Sequence, residues 1–266
     1  MGFIIANIKK SFFVIGILVF YSLTLFQCSN PSSQSSDLRP LPLSGLTMGT
    51  YYQVTIASPP SSLESDKLKT EIDKLLVEIN AQMSTYISDS ELSLFNDYTM
   101  TDWFPVSFET AMVVAEGIKI HQITEGAFDI TVGPLVNLWG FGPPGGKEEI
   151  PSEDKINESL KKVGSHHLKS RLSPPALKKD SVNLYVDLSG IAKGFAVDSI
   201  ANLLETQGIM NYIVDIGGEM KTKGRKKNNS PWRIAIESPI VDKKEIHKVI
   251  DLNDRAIATS GDYRNY

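Results

Sequence analysis

The 266-residue sequence has one cysteine, Cys28, and only 4 histidines. A single thiol excludes any disulfide within the chain and any paired-cysteine zinc or redox site. His166 and His167 are adjacent, so their side chains diverge by about 100° in a helix and point to opposite faces in a strand. Neither geometry chelates a metal readily, and no HExxH pair completes a zinc site, so both are expected at the surface. An excess of one charge is missing too: 27 Lys and Arg stand against 31 Asp and Glu, a net charge of −4. That balance argues against a nucleic-acid partner, which needs a basic face. The basic runs Lys221–Lys227 and Lys243-Lys244 are broken or flanked by other residues and read as solvated hairpin tips. No P-loop and no GxSxG elbow occur. Gly140-Phe141-Gly142-Pro143-Pro144-Gly145 fits GxGxxG by letter, but the two prolines lack the N–H groups a phosphate loop needs, so it reads as a turn.

No apolar run reaches the ~20 residues of a membrane-spanning helix. Lys9 and Lys10 precede a shorter one, Phe12 to Phe26, which reads as the positive and apolar regions of an export signal. It ends at Leu25-Phe26-Gln27-Cys28, which resembles a lipoprotein signal in which Cys28 is lipidated. Phe26 and Gln27 are bulkier than the usual residues there, and cleaved soluble export or an uncleaved anchor are the alternatives. Residues 29–43 are rich in Ser and Pro and read as a flexible tether, with the folded domain over 44–266.

Within that domain, Tyr51–Ala57 alternates like a strand, and Leu68, Ile72, Leu75, Leu76, Ile79 and Met83 recur at helical spacing. Ser107 caps a second helix that runs through Ile120, and a third starts at Glu153 and Asp154 and stops near Gly164. Asn183–Leu188 reads as a strand running into a helix from Ile191 to Thr206. Asn211–Ile216, Trp232–Glu237, Lys248–Leu252 and Ala256–Ala258 read as further strands. Strands and helices mix without regular alternation, so the expected class is α+β, with mixed sheets and packed helices.

Four segments place small residues beside carboxylates, hydroxyls or rings. They are Met48–Tyr52; Met83–Tyr86 with Asp89–Ser93 and Phe95-Asn96; Gly126–Val136 ending in Trp139–Gly142; and Val186–Asp198. In the last, Ser189-Gly190 opens a helix whose free N–H groups suit a phosphate, and Lys193 adds a cation one turn on. Asp187 and Ser189 could equally serve only as helix caps.

In this order the segments resemble the signature blocks of the ApbE family of FAD:protein FMN transferases. Ile213–Glu219, Trp232–Pro239 and Ala256–Tyr263 agree, and the resemblance covers roughly residues 44 to 266. It implies a T-fold-like core and FAD as substrate, with Mg2+ at the FAD pyrophosphate. A threonine hydroxyl of a client flavoprotein or redox subunit then attacks the FMN-side phosphorus, and AMP leaves. By this resemblance Met48 and Tyr86 contact the flavin nucleotide, Ala127, Phe128 and Asp129 line its pocket, and Asp187 and Lys193 complete the FAD site. The carbonyl of Gly190 contributes to the metal, and no catalytic residue is assigned. Some relatives hydrolyse FAD instead. The implied location is exported, either anchored by lipid to the inner membrane facing the periplasm or soluble in the periplasm. Family members continue into an HxIDPxTG-like segment and a block that supplies an Asp and a Thr to the metal, whereas this sequence stops at Tyr266. The expectation is a truncated chain with weak or absent magnesium-dependent activity; the alternatives are a flavin-binding lipoprotein without catalysis and an inactive remnant.

Overall fold

The computed structural model describes residues 39–143, 150–240 and 245–261. The export signal, Cys28, residues 29–38 of the tether, Pro144-Gly145, Lys243-Lys244 and Asp262-Tyr263 lie outside the described residues. In chain order the elements are the hairpin β1 (Leu41–Thr47) and β2 (Thr50–Ile56), then α1 (Ser65–Met83) and α2 (Glu91–Asp97). They continue as β3 (Phe104–Pro105), α3 (Phe108–Ile123), α4 (Gly133–Leu138) and α5 (Glu153–Leu160). A 3-10 turn at Ser165–His167 leads to β4 (Leu168–Leu172) and β5 (Pro175–Lys179), followed by α6 (Ala192–Thr206). The chain closes with β6 (Tyr212–Ile216), β7 (Glu219–Lys223), β8 (Trp232–Glu237), β9 (Ile246–Leu252) and β10 (Ala256–Ile257).

The main sheet has the order β1-β2-β6-β7-β10 and every neighbouring pair in it is antiparallel. β3-β5-β4 and β8-β9 form two smaller sheets, so the α+β expectation holds. Tyr52, Val54 and Ile56 of β2 and Tyr212, Val214 and Ile216 of β6 are fully buried and alternate with less buried residues, which marks one covered face. Leu68, Ile72, Leu76, Ile79 and Met83 form the buried stripe of α1, in the same core as Ala196, Ile200 and Leu204 of α6. Burying each large aliphatic side chain stabilises by about 1.5–3 kcal/mol, more than the sub-kcal propensity differences among ordinary residues. Packing therefore decides where these helices lie.

Two buried tyrosines tie the sheet to the helices. Tyr52 donates to Asp73 on α1 (2.6 Å), which also receives Lys69 (2.6 Å). Tyr212 donates to Glu205 on α6 (2.6 Å), which also receives Lys223. Burial, reinforced by Asp73, pushes the Tyr52 hydroxyl up to about 12, and burial with Glu205 pushes Tyr212 up as well.

Four sequence expectations are corrected. β1 starts at Leu41, inside the stretch assigned to the tether; only Leu43 and Thr47 of this edge strand are buried, so its apolar signal is faint, and Pro42 is tolerated at an edge. Leu184–Leu188 is extended but pairs with no strand. The third helix ends at Leu160 rather than near Gly164. Lys221 and Lys223 sit on β7 and pair with Asp198 and Glu205 of α6 instead of tipping a hairpin. The histidines fall in the 3-10 turn with their rings 3.9 Å apart, and His167 Nδ1 lies 2.6 Å from Asp180. Gly140–Pro143 is turn-like, with no helix starting there.

Candidate functional site

The two tight turns of the main sheet meet at one end. Met48 and Gly49 link β1 to β2 with φ of 50° and 70°, so both central residues of this two-residue hairpin are left-handed. Gly217 and Gly218 link β6 to β7 in the same way, with φ of 56° and 100°. The Gly217 N–H donates to the Tyr51 carbonyl (3.1 Å), and a Cβ on Gly217 would stand 2.8 Å from the Thr50 methyl. The first hairpin is also anchored to α1, because Asn80 donates to the Thr47 hydroxyl (3.1 Å) and the Leu76 carbonyl (2.7 Å). A non-glycine residue in the left-handed region is held there against a local penalty of about 1–2 kcal/mol. The Thr47–Thr50 pairing and the Asn80 bond to Thr47 hold Met48 at the tip against that penalty.

Beside the Met48-Gly49 turn opens a cleft of roughly 690 Å3. Met48 and Gly49 form one wall, the C-terminal end of α1 with Ser84–Ile87 another, and Ser189, Ala192 and Lys193 a third. Met48, Tyr86 and Lys193 are thus brought together as cleft-lining residues, although the sequence separates them widely. The Tyr86 hydroxyl donates to the Phe141 carbonyl (2.7 Å), which ties the second signature segment to the third.

The third wall is the start of α6. α1, α2, α3 and α5 each carry a carboxylate in the first turn; α6 carries none there and has Lys193 instead. Its positive end therefore faces the cleft without internal neutralisation. Lys193 Nζ lies 2.8 Å from Glu219 Oε2, an ion pair without hydrogen-bond alignment, since that oxygen has no hydrogen-bond partner among the described residues. Glu219 lines a second, mostly apolar cleft of roughly 520 Å3, so the pair stands between the two spaces. Nearby Asp215 accepts from the Gly218 N–H (2.9 Å). Burial pushes its carboxyl up, the Gly218 bond opposes this, and the charge of Glu219 adds to the rise.

The other expected residues are not among those lining the cleft. Asp187 is 8% exposed; its Oδ1 accepts from the Ser189 N–H (2.8 Å) and its own N–H donates to the Ile130 carbonyl (2.8 Å). Gly190 lies in the exposed turn that follows, and a Cβ there would stand 3.2 Å from the Phe128 ring. Ala127 is exposed in the turn after α3. Asp129 accepts from the Thr131 N–H (2.8 Å), the Thr131 hydroxyl (2.6 Å) and the Ser165 hydroxyl (2.7 Å). Burial alone would raise its carboxyl, but the bonds from Thr131 and Ser165 outweigh that and hold it below the ordinary range. Glu91 is likewise engaged, accepting from Ser107 and Thr110 at the start of α3.

Sequence reasoning missed Glu219 and Asn80 as site residues. The Gly217-Gly218-Glu219 run was the available signal for the first; nothing local marks the second. Among the described residues, no group of three or more His, Cys, Asp or Glu could hold a metal ion. The carbonyl of Gly190 and the free oxygen of Asp187 are hard donors of the type Mg2+ takes, and Mg2+ bound to a nucleotide needs few protein ligands because phosphates and waters complete its shell.

Comparison with known proteins gives one consistent result. The ApbE family profile matches residues 48–266. The FAD:protein FMN transferase of Vibrio cholerae is 49% identical over 244 residues, 92% of this chain and 71% of the relative. The protein of the same name from Haemophilus influenzae is 42% identical over 255 residues, 94% of this chain and 72% of the relative. The solved structure of the flavin transferase ApbE from Vibrio cholerae superposes with a TM-score of 0.78 at 50% identity, covering 85% of this chain and 73% of that one. With its hairpin tips, cleft and helix start all inside the matched span, the chain belongs to the ApbE family.

Proposed function

We propose that this chain is an FAD:protein FMN transferase that binds FAD in the cleft between the Met48 hairpin and the start of α6. One observation carries the reading: among the described residues, the one long helix that starts with a cation instead of a carboxylate opens onto the same space as Met48 and Tyr86. The first turn of α6 and Lys193 hold the pyrophosphate by N–H donors, dipole and charge. Met48 supplies an apolar surface and Tyr86 an aromatic one for the flavin nucleotide. Phe128 packs on the Gly190 turn and sets its position, as Asp129 does for the loop at Thr131 and Ser165.

A threonine oxygen of a client flavoprotein forms a bond to the FMN-side phosphorus while the bond from that phosphorus to the bridging oxygen breaks; AMP departs with that oxygen, and the hydroxyl proton passes to solvent. Such a transfer depends mainly on alignment and on neutralising phosphate charge. A magnesium ion, held by the Gly190 carbonyl and phosphate oxygens, would supply the remaining positive charge. Lys193 is paired with Glu219, so it reaches phosphate by sharing or exchanging that partner. The export signal and Cys28 support placement outside the cytoplasm on a lipid anchor, where membrane redox subunits or secreted flavoproteins would be the clients.

The test is AMP release from FAD and Mg2+ by the purified chain, with and without an acceptor domain that carries a threonine. AMP formed only with acceptor, together with FMN on that domain, supports transfer. AMP without acceptor assigns hydrolysis, and retained FAD without AMP assigns binding alone.

A further inference from the structure

The segment that carries Asp187 to the mouth of the cleft has a peculiar support. Leu184, Val186 and Leu188 are buried and alternate in sequence with Tyr185 and the polar Asp187, as in a strand, yet among the described residues the segment pairs with no strand. One side chain takes the place of a strand. Asn96, at the end of α2 and 9% exposed, donates from Nδ2 to the Val186 carbonyl (2.9 Å) and accepts at Oδ1 from the Val186 N–H (2.8 Å). A planar amide that offers one donor and one acceptor to the two backbone groups of a single residue reproduces the pairing of an antiparallel ladder.

Asn96 is itself pinned from behind. Lys179, fully buried on β5, donates to the backbone carbonyl of Asn96 (2.8 Å) and reaches the Leu184 carbonyl (3.5 Å). Its ammonium stands 5.3 Å from the centre of the Phe95 ring. α2 has no basic residue in its last turn, so Lys179 supplies across space the cation that a helix C-terminus favours. Asn96 and Lys179 together hold Leu184, Val186 and α2 in one register. The register is passed on along the chain: Asp187 N–H to the Ile130 carbonyl, Ser189 N–H to the Asp187 carboxylate, and the Ile191 and Ala192 N–H groups to the Leu188 carbonyl.

We infer that Asn96 is a positioning residue for the reaction: its amide sets where Asp187, the Ser189-Gly190 turn and the first turn of α6 stand relative to the pyrophosphate. The inference rests on the flavin-transferase reading above. Asn96 touches no substrate in this role. It acts through Val186, and nothing about its sequence neighbourhood beyond the Phe95-Asn96 pair announces it.

The experiment uses the full chain with Asn96→Asp and Asn96→Ala. The aspartate keeps an acceptor for the Val186 N–H but sets an oxygen against the Val186 carbonyl; the alanine removes both bonds. Met48 and Tyr86 grip FAD from outside the segment that Asn96 supports, so KM for FAD should rise by less than about tenfold while kcat for AMP release falls about 100-fold, the penalty of a displaced reacting group. Val54→Ala, in the sheet core and away from the cleft, serves as the stability-matched control and should lower Tm while leaving kcat within about twofold below its transition. Amide hydrogen exchange read over residues 184–191 gives a signal independent of activity. Faster exchange confined there, with the main sheet unchanged, supports the inference. Asn96 variants whose kcat merely tracks that of Val54→Ala, or whose exchange rises across the whole sheet, would overturn it. If the unsubstituted chain releases no AMP, the functional reading fails, and the exchange pattern still decides whether Asn96 holds this segment.

Discussion

Alanine at Gly49 and at Gly217 should have unequal consequences, although both glycines occupy left-handed positions of two-residue hairpins. Gly49 has φ of 70° and nothing within 4 Å of where its Cβ would be. Gly49→Ala therefore incurs only the backbone penalty of about 1–2 kcal/mol, partly offset by the ~0.4–1 kcal/mol that the alanine removes from the unfolded chain's freedom. The net loss is about 0.5–1 kcal/mol. Gly217 has the same backbone restriction, but its Cβ would meet the Thr50 methyl at 2.8 Å and the Thr50 hydroxyl at 3.1 Å. Overpacking of this kind adds about 1–3 kcal/mol, since the two hairpins are bonded to each other and neither has room to withdraw. With about 2–4 °C of Tm per kcal/mol in a domain of this size, Gly49→Ala should lower Tm by roughly 1–4 °C and Gly217→Ala by roughly three times as much. Thermal unfolding followed by circular dichroism measures both. A second variant checks the cause: Thr50→Ala, combined with Gly217→Ala, removes the two nearest clashing atoms and should bring the loss back to the Gly49→Ala level, a coupling that a double-mutant cycle reads directly. Equal losses for the two glycines, or no recovery in the double variant, would refute the reasoning.

Two further outcomes follow from the site. Lys193→Met should weaken FAD binding by about 10–150-fold, the loss of a charge-assisted contact of about 1.5–3 kcal/mol, measured by flavin fluorescence titration; a change below about twofold would remove Lys193 from the site. Asp129 is held below the ordinary carboxylate range, so its stabilisation is fully present above about pH 4 and is lost as pH falls through its depressed native value. Asn at this position should accordingly destabilise near neutrality, with the difference from the unsubstituted chain shrinking in acid; a gap independent of pH would contradict the assignment.

Much of the fold is written in local periodicity. The stripe from Leu68 to Met83 and the alternation in β2 and β6 fix α1 and the heart of the sheet because burial rewards those spacings directly. β1 was hidden because an edge strand buries few residues, and Pro42 suggests linker. Leu184–Leu188 has the composition of a strand, and composition does not reveal that its partner is a side chain 90 residues away. In the candidate site, Met48, Tyr86 and Lys193, named from the resemblance, line one cleft, although no local pattern in the sequence joins them. Asp129, named by the same resemblance, accepts from N–H and hydroxyl groups of its own loop, a set of bonds that its sequence position does not reveal.

The Met48-Gly49 turn leaves the chain no slack. Thr47 stands directly opposite Thr50, so inserting a single residue between them would shift β1 by one place and turn Leu43 outward in exchange for Ser44. The connection from β7 to β8 joins strands of different sheets, so a residue added among the exposed residues 227–229 shifts no strand register. Lineages of this protein can therefore vary the length of that distal loop, while the cleft-forming hairpin is open to change only by substitution. Engineering of acceptor or nucleotide preference faces the same division: grafted sequence belongs at the far loop, and point changes at the hairpin tip.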